Sequence, residues 1–124
     1  MFAFVFLDKE TGNILMARDR FGVKPLYYST EGNSLLACSE IKGLLASGLI
    51  PKIPNVSQIG HYLRYRHALA PETFFQGIYE IPAGTSLLFT AKESNPSPFP
   101  FVTETESEDS GILDVKAVKD TLLT

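Results

Sequence analysis

Charged side chains cluster in the segment MARDRFGVKPLYYS, residues 16–29, between two segments that are predicted as strands. An ordinary hairpin tip uses Gly, Asn, Asp or Pro over two to five residues, whereas this connector carries Arg18, Asp19, Arg20 and Lys24. One interpretation is a site for an anionic substrate, since Arg binds carboxylates bidentately. The other is an ion-pair network at a junction between packed layers, where removing one buried partner costs about 3–5 kcal/mol. We favour the second and predict a structural and interface role for these four residues.

Five further residues carry reactive groups, and each has a structural explanation. Cys38 lies within LLACSE, where strand alternation predicts a small core residue. His61 and His67 lie too far apart for a typical metal pair, so we expect them at the surface or a helix end. Ser39 is expected to cap the start of a short helix, and Glu40 is expected to lie near the positive end of the helix dipole. We therefore predict no catalytic, cofactor-binding or metal-binding residue in this chain.

The composition indicates one globular domain without a general affinity for nucleic acid or membranes. The chain has 124 residues, 44% hydrophobic and 20% charged, with a net charge of −3. One cysteine excludes an internal disulfide and favours a cytoplasmic location. The apolar start MFAFVFL lacks a basic lead and a cleavage site, so it is not predicted as a signal peptide. No apolar run approaches the roughly 18 residues of a membrane span.

Strands dominate the first third of the chain. MFAFVFL is apolar on both strand faces and is therefore predicted to be covered on both sides. ILMAR, KPLYYS and SLLACS follow as strands, so the four segments are predicted to form an antiparallel meander. Further on, IYEIPAGTSLLFT is predicted as a strand pair bent at residues 82–84.

Two helices are predicted between these strand regions. The segment SEIKGLLASG is predicted to form a short helix that begins at Ser39, and Gly48 is suited to its C-terminal end. VSQIGHYLRYRHAL begins near Ser57, and one face of it carries Ile59, Tyr62 and Leu63.

The composition changes near residue 92. Residues 1–92 carry nine basic and seven acidic side chains, whereas residues 93–124 carry two and seven, so the net charges are +2 and −5. Residues 92–111, rich in Pro, Ser and acidic side chains, are predicted as a linker, and residues 112–124 as the start of an amphipathic helix. Because a strand predicted as buried begins the chain and a core-facing helix ends it, both ends are expected to be cut.

Several motifs, in order, resemble the glutamine-hydrolysing asparagine synthetases. They are FAFVFLD, ARDRFGVKPLYYS, LLACSEIKGLLASG and APETFFQGIYEIPAGTSLLF. The resemblance covers roughly residues 1–90 and corresponds to the back half of the family's class II glutamine amidotransferase domain, which residues 1–91 are expected to form in part. It implies an α+β fold, a partial sandwich of the N-terminal nucleophile hydrolase type with antiparallel strands and flanking helices. By the same resemblance, the charged connector lies on the side that faces a synthetase domain.

The family's chemistry lies outside the matching segment. The resemblance implies a parent enzyme that hydrolyses glutamine and passes ammonia to aspartate activated by ATP with magnesium. The family's nucleophilic cysteine, its oxyanion-hole pair and its glutamine-binding residues all lie upstream of the matching strand, and Met1 falls on an internal methionine. We therefore expect a truncated piece that is not catalytic alone, needs no cofactor itself and lacks its partner synthetase domain. Two alternatives remain: a piece of an amidotransferase that acts on a different acid, or a non-catalytic module for assembly, for example as a homodimer.

Overall fold

The computed structural model describes residues 1–31, 34–90 and the backbone of residues 97–100. The fold is α+β, as predicted, with antiparallel sheets and two helices. The strands are β1 (Ala3–Leu7), β2 (Ile14–Arg18), β3 (Tyr27–Ser29), β4 (Leu36–Cys38), β5 (Tyr79–Glu80), β6 (Thr85–Phe89) and β7 (Ser97–Pro100), and the helices are α1 (Ile41–Ala46) and α2 (Val56–Tyr65).

The strands form two sheets, which we call sheet A and sheet B. Sheet A has the order β1-β2-β6-β7, and sheet B has the order β4-β3-β5. The predicted meander is therefore wrong, because β2 and β3 belong to different sheets. The predicted strand pair at residues 78–90 is wrong for the same reason, since β5 lies in sheet B and β6 in sheet A. In both places the chain passes from one sheet to the other instead of turning back beside itself.

Apolar side chains pack the two sheets together and pack α1 onto sheet B. Between the sheets, the ring of Tyr28 from β3 meets the edge of Phe89 from β6 at a centroid distance of 5.6 Å. Beneath α1, Leu44 packs with Ile50 and Ile78. The buried apolar residues that pack together between the two sheets are Met16, Leu26, Ile81, Leu87 and Phe89. The layers therefore run in the order sheet A, sheet B, α1.

Strand β1 is more exposed than the sequence predicted. Phe4 retains 42% and Phe6 46% of its accessible surface, and Val5 and Leu7 on the opposite face are also exposed. Within the described residues β1 is an edge strand that pairs with β2 alone. An apolar strand is buried only where neighbours cover it, so the prediction that both faces are covered is wrong for the described part of the chain.

The helix caps differ from those predicted. Helix α1 starts one residue later than expected: Glu40 occupies the N-cap position, so Ser39 is not the cap, and no side chain caps this end. The Glu40 carboxylate instead pairs with Lys42 Nζ at 2.7 Å. Gly48 follows the helix end with a φ of +72°, as the sequence predicts.

Helix α2 likewise starts after Asn55 rather than Ser57, whose Oγ donates to Asn55 Oδ1 at 2.7 Å. Its buried residue is Gln58, whereas the predicted apolar face is exposed. Gln58 Oε1 accepts a hydrogen bond from Leu69 N at 2.9 Å, which ties the following loop to the helix.

The end of the chain is described only in part. Strand β7 pairs with β6 along four residues, so this stretch of the predicted linker 92–111 is extended sheet. The rest of that linker and the predicted helix at residues 112–124 lie outside the described residues. Among the helices that are described, none is long and apolar enough to cross a membrane.

Candidate functional site

Two connectors lie side by side where the chain changes sheets. Residues 19–26 lead from β2 to β3, and residues 81–84 lead back from β5 to β6. Ile81 N donates to Leu26 O at 2.9 Å, and Gly84 N donates to Asp19 O at 2.7 Å. We call these two connectors, with the flanking residues 18 and 80, the crossing. The charged cluster predicted from the sequence lies here.

Arg18 occupies the centre of the crossing and is only 7% exposed. Its Nη1 donates to Glu80 Oε1 and to Ile81 O, both at 2.6 Å. Its Nε donates to Lys24 O at 2.8 Å, and its Nη2 donates to Gly22 O at 2.6 Å. A planar guanidinium with five donors can hold several carbonyls and a carboxylate at fixed angles at once. Arg18 therefore joins both connectors to the end of β5.

Asp19 holds the connector from the other side, and it too is buried. Its Oδ1 accepts hydrogen bonds from Gly22 N at 2.7 Å and from Phe21 N at 2.9 Å. Its Oδ2 accepts from Phe2 N and lies 3.7 Å from the amino group of Met1. Burial acts to raise the pKa of Asp19, but the three backbone N–H donors and this amino group outweigh it, so the pKa is lowered. The carboxylate is charged, and both of its oxygens are occupied.

Close packing between the two connectors explains why residue 22 is a glycine. Gly22 has a φ of +60°, and a Cβ placed there would lie 2.8 Å from Ala83 Cβ on the other connector. Gly84 has a φ of +68°, and a Cβ there would lie 3.6 Å from Arg20 Cα, which is an ordinary contact, so its backbone conformation and not the available space favours glycine. The two connectors thus approach each other too closely at Gly22 for any other residue.

The other two predicted residues lie on the surface of the same connector. The Arg20 side chain is exposed and stacks over the ring of Phe21, 5.1 Å from its centroid, while Phe21 itself is 73% exposed. The side chain of Lys24 is exposed as well, and the residue takes part in the crossing through its carbonyl only. The four predicted residues therefore divide into a buried pair, Arg18 and Asp19, and an exposed pair.

Glu80 is the partner that sequence reasoning missed. It lies 62 residues from Arg18 along the chain, and its carboxylate forms the ion pair of the crossing. The one local signal is a charge within the apolar segment IYEIP, which also fits an ordinary exposed strand position. Burial raises the pKa of the neighbouring Tyr27, the charge of Glu80 raises it further, and Arg18 opposes both.

The remaining candidates do not form a reactive constellation. Cys38 is half-buried against the apolar cluster beneath α1, and a Cβ at Gly43 would lie 2.5 Å from its Sγ. The ring of His61 stacks on Tyr65 at 6.3 Å, and His67 is exposed. In the part of the chain that the structure describes, no group of three His, Cys, Asp or Glu residues is placed to hold a metal ion.

The arrangement at the crossing is therefore suited to fixing the chain rather than to transforming a ligand. The Arg18 guanidinium is directed at protein acceptors, and both oxygens of Asp19 accept backbone N–H groups. A guanidinium that is already bound to a carboxylate and three carbonyls offers little to an anionic substrate.

Comparison with known proteins defines the class of this chain. The glutamine amidotransferase domain family matches residues 1–100, and the chain belongs to that family. Its relatives include glutamine-hydrolysing asparagine synthetases, as the sequence motifs indicated.

Individual relatives carry two kinds of name. Asparagine synthetase (glutamine-hydrolyzing) 3 of Bacillus subtilis is 36% identical over 91 residues, 73% of this chain and 15% of that protein. A Methanocaldococcus jannaschii protein provisionally named asparagine synthetase (glutamine-hydrolyzing) 2 is 35% identical over 91 residues, 72% of this chain and 18% of that protein. Amidase chry2 of Gibberella zeae is 34% identical over 116 residues, 87% of this chain and 17% of that protein. The chain thus spans less than a fifth of each.

Proposed function

We propose that this chain is a piece of a glutamine-dependent asparagine synthetase and supplies part of the frame of its glutamine-hydrolysing domain. In the whole enzyme, glutamine would be hydrolysed to glutamate, and the ammonia would amidate aspartate activated by ATP. The match of residues 1–100 to the glutamine amidotransferase domain family carries this proposal. A sandwich of the N-terminal nucleophile hydrolase type, with its two sheets packed face to face, is the fold proposed for the complete domain.

The contribution of this chain would be structural. Arg18 and Asp19 form their hydrogen bonds within the crossing. Cys38 lies against an apolar cluster, and no base among the described residues is hydrogen-bonded to it. A thiol acts as a nucleophile when a base or a positive environment generates its thiolate. We therefore expect this chain alone to release no ammonia from glutamine.

We expect ATP and magnesium to act in the proposed parent reaction outside the described residues. Magnesium sites use carboxylates and phosphate oxygens in octahedral geometry. The described acidic residues do not gather into such a set: Asp19 is held by backbone donors and Glu80 by Arg18. No step of the reaction is therefore assigned to a metal held by this chain.

The exposed tip of the crossing is the surface proposed to meet the synthetase domain. Phe21 and Val23 are 73% and 58% exposed, and they lie between the exposed side chains of Arg20 and Lys24. Arg and aromatic side chains are enriched at interfaces, and the buried pair Arg18–Asp19 holds this tip in one conformation. A preorganised tip loses little entropy when it binds.

A glutaminase assay tests the catalytic part of this proposal. Purified chain is incubated with glutamine, and glutamate is measured against buffer and against the Cys38→Ser variant. We expect no glutamate above the buffer rate from either protein. Turnover that disappears in Cys38→Ser would overturn the proposal, because the chain would then contain its own nucleophile.

A chimera tests the structural part. Residues 1–91 of this chain replace the matching segment of the Bacillus subtilis relative, and glutamine-dependent ammonia release is measured. We expect the chimera to be active and its Arg18→Met variant to lose activity along with thermal stability. An inactive but folded chimera would show that the segment does not serve the family's glutamine site.

A second candidate is an amidotransferase that uses a different acceptor acid. The match to amidase chry2 covers 87% of the chain, more than the 72–73% covered by the matches to the two synthetases. The two candidates differ in the acceptor and not in glutamine hydrolysis. Supplying the full-length protein that contains this segment with glutamine, ATP and aspartate, and measuring asparagine, would separate them.

A further inference from the structure

We draw no further inference here: the strongest candidate, the exposed apolar face of helix α2 that carries Val56, Ile59 and Leu63, supports no proposal because nothing in the structure shows what covers it.

Discussion

The crossing begins at the end of β2, the strand that pairs with β1, yet the crossing and β1 distribute polar and apolar groups in opposite ways. Arg18 is opposite Ala3 in the β1–β2 register, so the two regions are one strand apart. At the crossing a charged side chain is 7% exposed, whereas on β1 two phenyl rings are more than 40% exposed. Burial here follows the presence of neighbours and not the polarity of the side chain. Arg18 is buried because two connectors and β5 surround it with acceptors.

This difference predicts that stability depends more on the charged residue than on the exposed aromatic ones. A buried ion pair gains little over an apolar pair of the same shape, but losing one member of it leaves the other without a partner. A half-exposed phenyl ring loses only part of its burial when it is removed. Four measurements test this comparison.

The largest effect is expected from Arg18→Met. The substitution keeps most of the side-chain volume but leaves Glu80 and three carbonyls without their donor. Since Glu80 is only partly buried, we expect the low end of the range for broken buried pairs, about 3 kcal/mol. Urea unfolding gives the value. Lys24→Met is the matched control, because its side chain is exposed and its carbonyl is kept, and it should change stability by less than about 0.5 kcal/mol. Equal effects of the two substitutions would contradict a special role for Arg18.

Gly22→Ala should have the next largest effect. The change places a residue with a Cβ at a φ of +60° and 2.8 Å from Ala83 Cβ. The left-handed conformation costs about 1–2 kcal/mol, and the contact adds to it. Gly48→Ala is the matched control, because Gly48 has a φ of +72° with no atom within 4 Å of the added Cβ. The difference between the two measures the close approach of the connectors, and Ala83→Gly should remove it. If both variants lose the same stability, the connectors are not in tight contact.

Asp19 gives the crossing a dependence on pH. Its pKa is lowered from an ordinary value of 3.8, so the carboxylate contributes stability that is present above that value and is lost as the pH falls through the lower folded-state pKa. We expect Asp19→Asn to be less stable than the unmodified chain at about pH 6, with the difference shrinking towards about pH 2. Urea unfolding across this range gives the curve. A constant difference would mean that the charge of Asp19 is not involved.

The elements of the fold could be read from local sequence, but the pairing of those elements could not. Alternation and turn residues located β1 to β4 and both helices, since these signals depend on near neighbours. The change of sheet at residues 19–26 does not have a local signal that separates it from a charged hairpin. What decides it is contact with residues 80–84, which follow in the chain some 60 positions later. Asp19 and Arg18 drew attention because charges are rare in tight turns, yet their partners are mostly backbone groups, which every residue type supplies.

The smallest effect is expected on β1, from Phe6→Thr. Burying a whole phenyl side chain contributes about 1.5–3 kcal/mol, and Phe6 is only about half buried, with 46% of its surface exposed. Thr keeps the preference for extended backbone, so the substitution should cost about 0.5–1 kcal/mol. The measurement is urea unfolding. Phe89→Thr is the matched control, because this phenyl lies in the same sheet but is 6% exposed, and it should cost about 3–5 kcal/mol. A cost at Phe6 as large as that at Phe89 would mean that β1 is covered in the folded chain, and the contrast between the edge strand and the crossing would fail.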